Sequence, residues 1–351
     1  MEIEIELKLL TNEKAGEVIE TKLLPQLNAR VTQETLALTN HYFDTPDKTL
    51  RQHDIGLRIR GNNQNFEQTL KTAGKSIGGL HQRPEYNVYL DKSKKQNVKV
   101  PDLKLFPPSA WPKTINIDDL QAKIEILFTT HFDRNIYLLE FLNGDVVELV
   151  WDLGVVESGN KSVPICEIEL ELKKGSTSAL FNLAKRIVSI LPTSIGTNSK
   201  AALGYKLRDN LPDKDKDKDK DKDKDKELEQ YQPENKPTTA QEFASVLTKL
   251  LHDFQIVSAE LRRQYNQGLA TSINQVLIAL VNNLAGFSHY FPCPLLENCH
   301  MNLKILANDW SLVSQQNDEK KVSALLSRAQ TTQLQLDIVQ CLVEQPWSSE
   351  I

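Results

Sequence analysis

EIEIELKL, residues 2–9, alternates charged and apolar side chains without a break, and ICEIELELK, residues 165–173, repeats the pattern. In an extended strand, side chains i and i+2 share a face about 6.6 Å apart. Glu2, Glu4, Glu6 and Lys8 therefore project together, as do Glu167, Glu169, Glu171 and Lys173. Three carboxylates stacked on one face repel each other unless positive charge sits against them. A hard divalent cation with oxygen ligands would supply it. A half-buried strand with its charged face in water is the competing reading.

Outward from these two stretches, the dominant period before residue 209 is also two. Strand patterns cover 55–60, 66–71, 83–90, 134–142 and 146–153, making at least seven strands, with helical spacing near 12–28 and 176–191. Several strands carry cations on one parity. Arg58 and Arg60 share a face, as do Glu67, Thr69 and Lys71, and Arg83, Glu85 and Asn87. Arg134 opens its strand, while Glu148 and Asp152 share parity on the next. Should these polar faces turn inward, the sheet encloses a channel of carboxylates and cations, suited to a polyanion held with a divalent metal.

The motifs then carry a resemblance. Glu4-Ile5-Glu6-Leu7-Lys8 fits an ExExK signature, and it is followed in order by Tyr42-Phe43-Asp44-Thr45, Gly56-Leu57-Arg58-Ile59-Arg60, Thr69-Leu70-Lys71, the CEIELEL segment at 166–172 and Ser199-Lys200-Ala201-Ala202. Together they resemble the CYTH superfamily, the triphosphate tunnel metalloenzymes. GGLHQRPEYNV, residues 78–88, looks like the bacterial inorganic triphosphatase branch. The resemblance spans nearly all of residues 1–208. It implies an α+β fold: an eight-stranded antiparallel β tunnel with flanking helices that hydrolyses tripolyphosphate to pyrophosphate and phosphate.

Carried onto this chain, the resemblance implies that Glu4, Glu6, Glu167 and Glu169 hold Mg²⁺ or Mn²⁺, with Glu85 and Asp152 as further metal or metal-water ligands. Lys8, Arg58, Arg60, Lys71, Arg83, Arg134 and Lys200 would bind the phosphates. By the same resemblance, Glu4, Glu6, Lys8, Arg58 and Arg60 would form the catalytic set. Glu171 has the right parity but is expected to lie too deep. Asn87 stands where some relatives continue an acidic pattern, and no carboxylate is marked as a general base. His41, His53 and His81 lie beside motifs without metal-ligand spacing and read as structural or exposed. On the same fold, thiamine triphosphatase and class IV adenylyl cyclase are the alternative activities. A non-catalytic polyphosphate or nucleotide sensor is the alternative of another class.

Residues 213–226 are seven consecutive Asp-Lys pairs, so 209–238 reads as a charged linker between a 1–208 domain and a smaller all-α domain at 239–351. Helical spacing covers 240–264, 268–287, 295–315 and 319–344. In position and helicity this half resembles a truncated or diverged CHAD-like bundle, the kind of helical domain to which polyphosphate binding is attributed. Residues 227–351 hold 8 Lys/Arg against 13 Asp/Glu, which argues against a polyanion surface and favours packing or a homodimer. Residues 1–212 balance at 27 against 27, and neither half has the basic excess of a nucleic-acid binder. The alternating N-terminus is no secretory leader. Asn282 and Asn283 interrupt the most apolar stretch, 276–287, so no membrane partner is expected. Four cysteines without paired spacing suit a reducing cytoplasm.

Overall fold

The computed structural model describes residues 1–61, 66–90, 100–209 and 237–348. The Asp-Lys repeat and nearly all of the expected linker lie outside the described residues. The chain divides into two compact units, Met1–Leu180 with Asn198–Lys214, and Phe181–Thr197 with Asp215–Ile351.

In the first unit the strands are β1 (Glu2–Leu10), β2 (Ala29–Asp44), β3 (Gly56–Gly61), β4 (Phe66–Lys71), β5 (Lys75–Ile77), β6 (Leu80–Leu90), β7 (Glu125–Phe141), β8 (Val146–Ser158) and β9 (Lys161–Lys174). Eight of them run in the order β1-β9-β8-β7-β2-β3-β4-β6, and β6 pairs back onto β1. Each of these pairings is antiparallel, so the sheet closes into a barrel with no free edge among the eight. The short β5 extends β6 outside the ring. Within the closed ring, β2 and the first half of β7 went unread in the sequence. They pair with each other from Ala29↔Phe141 to Asp44↔Glu125, and residues 30–35 are exposed, so apolar alternation is weak there.

The barrel is inverted relative to an ordinary β core, with apolar side chains facing out and charges facing in. On β3 and β4 the outward Leu57, Ile59 and Leu70 are buried with Phe106, Trp111, Leu120 and Ile124 from the segment before β7. Within that cover lie the 3₁₀ turns Leu103–Leu105 and Pro108–Ala110 and a short helix, Ile117–Lys123. Gln68, fully buried on the outer face of β4, anchors the cover. Its amide donates to the Asp102 carbonyl at 2.8 Å and accepts from the Asp102 N–H at 3.0 Å. Both its polar groups are thereby satisfied.

One end of the barrel interior is apolar instead. Leu38, Phe128, Phe132, Val156 and Ile165 converge there with Tyr205 and Leu207. The last two belong to a helix at Lys200–Asp209, here α1, which contacts β7, β8 and β9 and stops that end. Phe128 is wedged between Tyr42, stacked at 4.8 Å, and Tyr205, edge-on at 5.2 Å. Helix α1 fits only because residue 204 is glycine: a Cβ there would sit 2.1 Å from the Phe128 ring. The sequence spacing gave no amphipathic stripe for α1, since its apolar residues meet neighbours on more than one side.

Among the described residues from 237 onward, the second unit holds five α-helices, α2 (Ala240–Arg263), α3 (Gln267–Tyr290), α4 (Pro294–Ser314), α5 (Glu319–Leu326) and α6 (Ala329–Glu344). Thr239 and Glu242 form a reciprocal capping box that starts α2. Phe243 stacks on Phe287 at 5.3 Å, and buried Trp310 donates to the Ala270 carbonyl at 2.9 Å. The single helix expected over 319–344 is broken. Arg328 is extended and reaches Asp309 at 2.8 Å, while the Thr331 hydroxyl donates to the Leu325 carbonyl. Helix α3 is long and apolar enough to cross a membrane by length and composition, although it contains Asn282 and Asn283. Its Leu277, Leu280, Leu284 and Phe287 are buried in the protein. Lys185 and Asp337 form an ion pair at 2.5 Å in this unit.

Replacing Gly204 with Ala should lower the melting temperature of the protein, because the wedged Phe128 ring cannot yield. Overpacking of this kind costs about 1–3 kcal/mol, readable by calorimetry. An unchanged transition would show that α1 is loosely seated.

Candidate active site and metal centre

The strand parity that buries apolar groups outside the barrel directs ionisable groups to its interior. A cavity of about 220 Å³ is lined by eight carboxylates and eight Lys or Arg side chains. Among the sequence-predicted residues, Glu4, Glu6, Lys8, Arg58, Arg60, Lys71, Arg83, Glu85, Arg134, Glu169 and Lys200 all reach it. Asp152 and Glu167 sit just behind the wall, fully buried, and join it through ion pairs.

The deepest charges form a closed set. Asp152 on β8 and Glu167 and Glu169 on β9 bring carboxylate oxygens within 4.8 Å of one another. Three cations insert between them. Lys8 lies 2.8 Å from both Glu167 and Glu169. Lys200, at the start of α1, lies 2.6 Å from Asp152, 2.5 Å from Glu167 and 3.0 Å from Glu169. Arg134 forks onto Asp152 at 2.8 and 2.7 Å and also reaches Glu169 at 2.8 Å. Burial alone would push the Asp152 and Glu169 carboxyls up. The cations outweigh it and hold both below their usual range, Asp152 chiefly through Arg134 and Glu169 chiefly through Lys200. Lys8 is likewise held well above the usual ammonium value by Glu167 and Glu169, against its own burial.

Toward the exposed start of β1 the balance changes. Lys71 serves two carboxylates, Glu4 at 2.5 Å and Glu85 at 3.4 Å. Burial dominates at Glu4, and Glu6 and Glu85 add to it, so despite Lys71 its carboxyl is raised to about 7. Glu85 goes the other way, to about 2, because Lys71 and Arg58 outweigh its burial. Lys173 is shared between Glu171 at 2.7 Å and Glu148 at 3.6 Å. Glu6 makes no ion pair among the described residues. This outer set of Glu2, Glu4, Glu6, Glu85, Glu148 and Glu171 thus carries a surplus of negative charge. The surplus calls for added positive charge, although among the described residues only Asp152, Glu167 and Glu169 bring their carboxylate oxygens within 4.8 Å of one another. Glu171 was expected too deep for a role; it is half-buried, paired across the sheet with Glu6 and Glu148, and lies nearer the exposed end than Glu167.

The opposite surplus stands on the facing wall. Arg60 has no carboxylate partner among the described residues and donates to Asn40 Oδ1 at 2.8 Å. Burial first, then Arg58 and Arg134, drive its guanidinium down to about 9. Arg58 is held by Tyr42 and by Glu85 at 3.8 Å, while among the described residues its Nε and that of Arg83 are buried without a hydrogen-bond partner. Guanidiniums buried with so little counter-charge require an anion.

Sequence reasoning missed His81, read there as structural or exposed. It lines the cavity at 5% exposure. The signal was its shared parity with Arg83 and Glu85. By contrast, His41 bonds Thr129 and His53 bonds the Thr49 carbonyl, in structural roles.

Comparison with known proteins follows this geometry. The CYTH domain family matches residues 2–205. The inorganic triphosphatase of Haemophilus influenzae is 36% identical over 208 residues, which cover 58% of this chain and 54% of that protein. The matched part spans about half the length of that curated relative. Among solved structures, a putative adenylyl cyclase from Hippeastrum, described as having a dominant triphosphatase activity, aligns with 58% of this chain and 95% of its own at 22% identity and a TM-score of 0.42. The Mimivirus capping enzyme triphosphatase aligns with 54% and 89% at 14% identity and a TM-score of 0.32.

Glu4 sets a pH test. Its folded value near 7 lies above its unfolded value of 4.5, so ionising it opposes folding. Metal-free protein should lose this share of stability as pH rises from about 4.5 to 7, and Glu4→Gln should flatten that dependence. Adding Mg²⁺ or Mn²⁺ at pH 8 should restore stability to the wild type more than to the variant. Thermal denaturation across pH, with and without the cation, measures both.

Proposed function

The chain belongs to the CYTH domain family, and we propose that it is a metal-dependent inorganic triphosphatase, hydrolysing tripolyphosphate to pyrophosphate and phosphate within the barrel. The observation that carries this reading is the separation of charge across one cavity. Arg60, buried with no carboxylate partner among the described residues, faces a carboxylate surplus. A lone anion would suit only the first wall and a lone cation only the second; a phosphate chain with a divalent cation suits both. The similarity to the Haemophilus influenzae inorganic triphosphatase supports the choice of substrate.

Glu4, Glu6, Glu85 and Glu171 would hold Mg²⁺ or Mn²⁺, with Asp152, Glu167 and Glu169 as the deeper acidic set. When bound, the cation neutralises phosphate oxygens and lowers the cost of charge moving onto the leaving group. Arg58, Arg60, Arg83 and Arg134 grip the non-bridging oxygens and orient the chain along the barrel. Lys8, Lys71 and Lys200 add charge-assisted hydrogen bonds from the floor and sides. The phosphoryl group passes to a water attacking in line. Rigid placement of these groups by paired strands is what makes the stabilisation pre-organised. The helical half, with its acidic balance, serves as a CHAD-like accessory bundle rather than a second polyanion site. The absence of a basic surface excess suits a small-molecule substrate of the cytoplasm.

Phosphate release from tripolyphosphate should require Mg²⁺ or Mn²⁺, and Arg60→Ala should lower kcat/KM on the order of a hundredfold while the far-UV spectrum stays unchanged. Thiamine triphosphate and ATP serve as competing substrates in the same assay. Preferential cleavage of thiamine triphosphate, or cyclisation of ATP with pyrophosphate release, would replace this reading by the corresponding activity. Binding of tripolyphosphate without turnover under any divalent cation would make the barrel a sensor.

A further inference from the structure

One inward side chain has no task in the scheme above. His81 is the first inward residue of β6, fixed by the turn at Gly78 and Gly79, which both take positive φ. Its imidazole is 95% buried yet lines the cavity, and neither Nδ1 nor Nε2 has a hydrogen-bond partner. A histidine kept for packing ordinarily satisfies at least one ring nitrogen, because a buried unpaired polar atom is costly. Two unpaired nitrogens facing a cavity point to a group that arrives from outside the protein.

The surroundings say which group. His81 lies across from Glu6 on β1 and two residues before Arg83, so it shares that arginine's face at a distance of about 6.6 Å along the strand. β1 runs inward from exposed Glu2, past Glu4 at 7% exposure, to Lys8 at 1%, and His81 stands between the last two levels. Arg58 Nε and Arg83 Nε are also buried without partners, so three unsatisfied nitrogen-bearing groups open onto one cavity. Burial lowers the imidazole's proton affinity; Glu6 and Glu169 work against that, and Arg83 and Lys8 with it. A neutral imidazole offers one N–H donor and one lone pair. Among cavity walls made mostly of formal charges, it supplies direction without adding to the repulsion among the cations.

We infer that His81 is a substrate-binding residue whose ring N–H donates to a non-bridging oxygen of the phosphate chain, between the positions gripped by Arg83 and Lys8. The inference rests on the triphosphatase reading and extends its binding set to a group that is neither metal ligand nor counter-ion. Its contribution falls on binding and placement of the chain rather than on the cation.

The test separates these roles in EDTA, where no turnover occurs. By calorimetry, His81→Leu should weaken tripolyphosphate binding on the order of tenfold, whereas His81→Gln, which keeps a donor, should stay within about threefold of wild type. In ¹⁵N-histidine-labelled wild type, the His81 ring signals, assigned by their loss in His81→Gln, should move on adding tripolyphosphate and not on adding equal sulfate. With Mg²⁺ restored, His81→Leu should raise KM more than it lowers kcat. Equal tripolyphosphate affinity in a folded His81→Leu, or ring signals that ignore the ligand, would overturn the assignment while leaving the triphosphatase intact. Weaker Mn²⁺ binding by His81→Leu without phosphate, seen as free Mn²⁺ by electron paramagnetic resonance, would overturn it in favour of a metal ligand. A wild type that neither binds nor cleaves tripolyphosphate would remove both readings together.

Discussion

Burying charge inside a barrel is tolerable only when each ion finds a partner, and the structure is organised around that requirement. The six groups Lys8, Arg134, Lys200, Asp152, Glu167 and Glu169 answer it completely, with every contact at 3.0 Å or less. They come from five elements, β1, β7, β8, β9 and α1. No one of these elements can slide by a residue without stranding an ion in a low-dielectric interior. Register, helix seating and electrostatics are thus a single constraint. Removing one partner from such a set leaves an uncompensated buried charge, a heavier loss than the pair's net value.

Elsewhere in the cavity compensation is deliberately incomplete in its arithmetic. The outer carboxylates exceed their lysines, and the arginines on the facing wall exceed their carboxylates. The cavity lining holds eight carboxylates and eight Lys or Arg, so a neutral sum over residues 1–212 coexists with a densely charged interior. Formal charge over a domain says little about local potential when opposite signs occupy different walls.

Much of this was legible in the alternation of β1 and β9, because period two assigns faces without needing the fold. The same alternation placed Arg58, Arg60, Lys71 and Arg83 on common faces, and they do converge. What parity could not supply was depth. Glu171 was set too deep because a strand's pattern does not reveal which end is open. β2 escaped because its exposed half carries polar residues on both faces, leaving no apolar rhythm. The break after Leu326 depends on Arg328 reaching Asp309 in another helix, a contact absent from local sequence. His81 was passed over because histidine was weighed as a metal ligand, where spacing matters, rather than as a neutral donor, where only facing and burial matter.

Helix α1, wedged by Gly204 against Phe128, packs on β7, β8 and β9 where the barrel interior turns from charged to apolar. On the triphosphatase reading proposed above, a phosphate chain would enter from the exposed end of β1, and the piece beside Lys8 and Lys200 would be the last to leave.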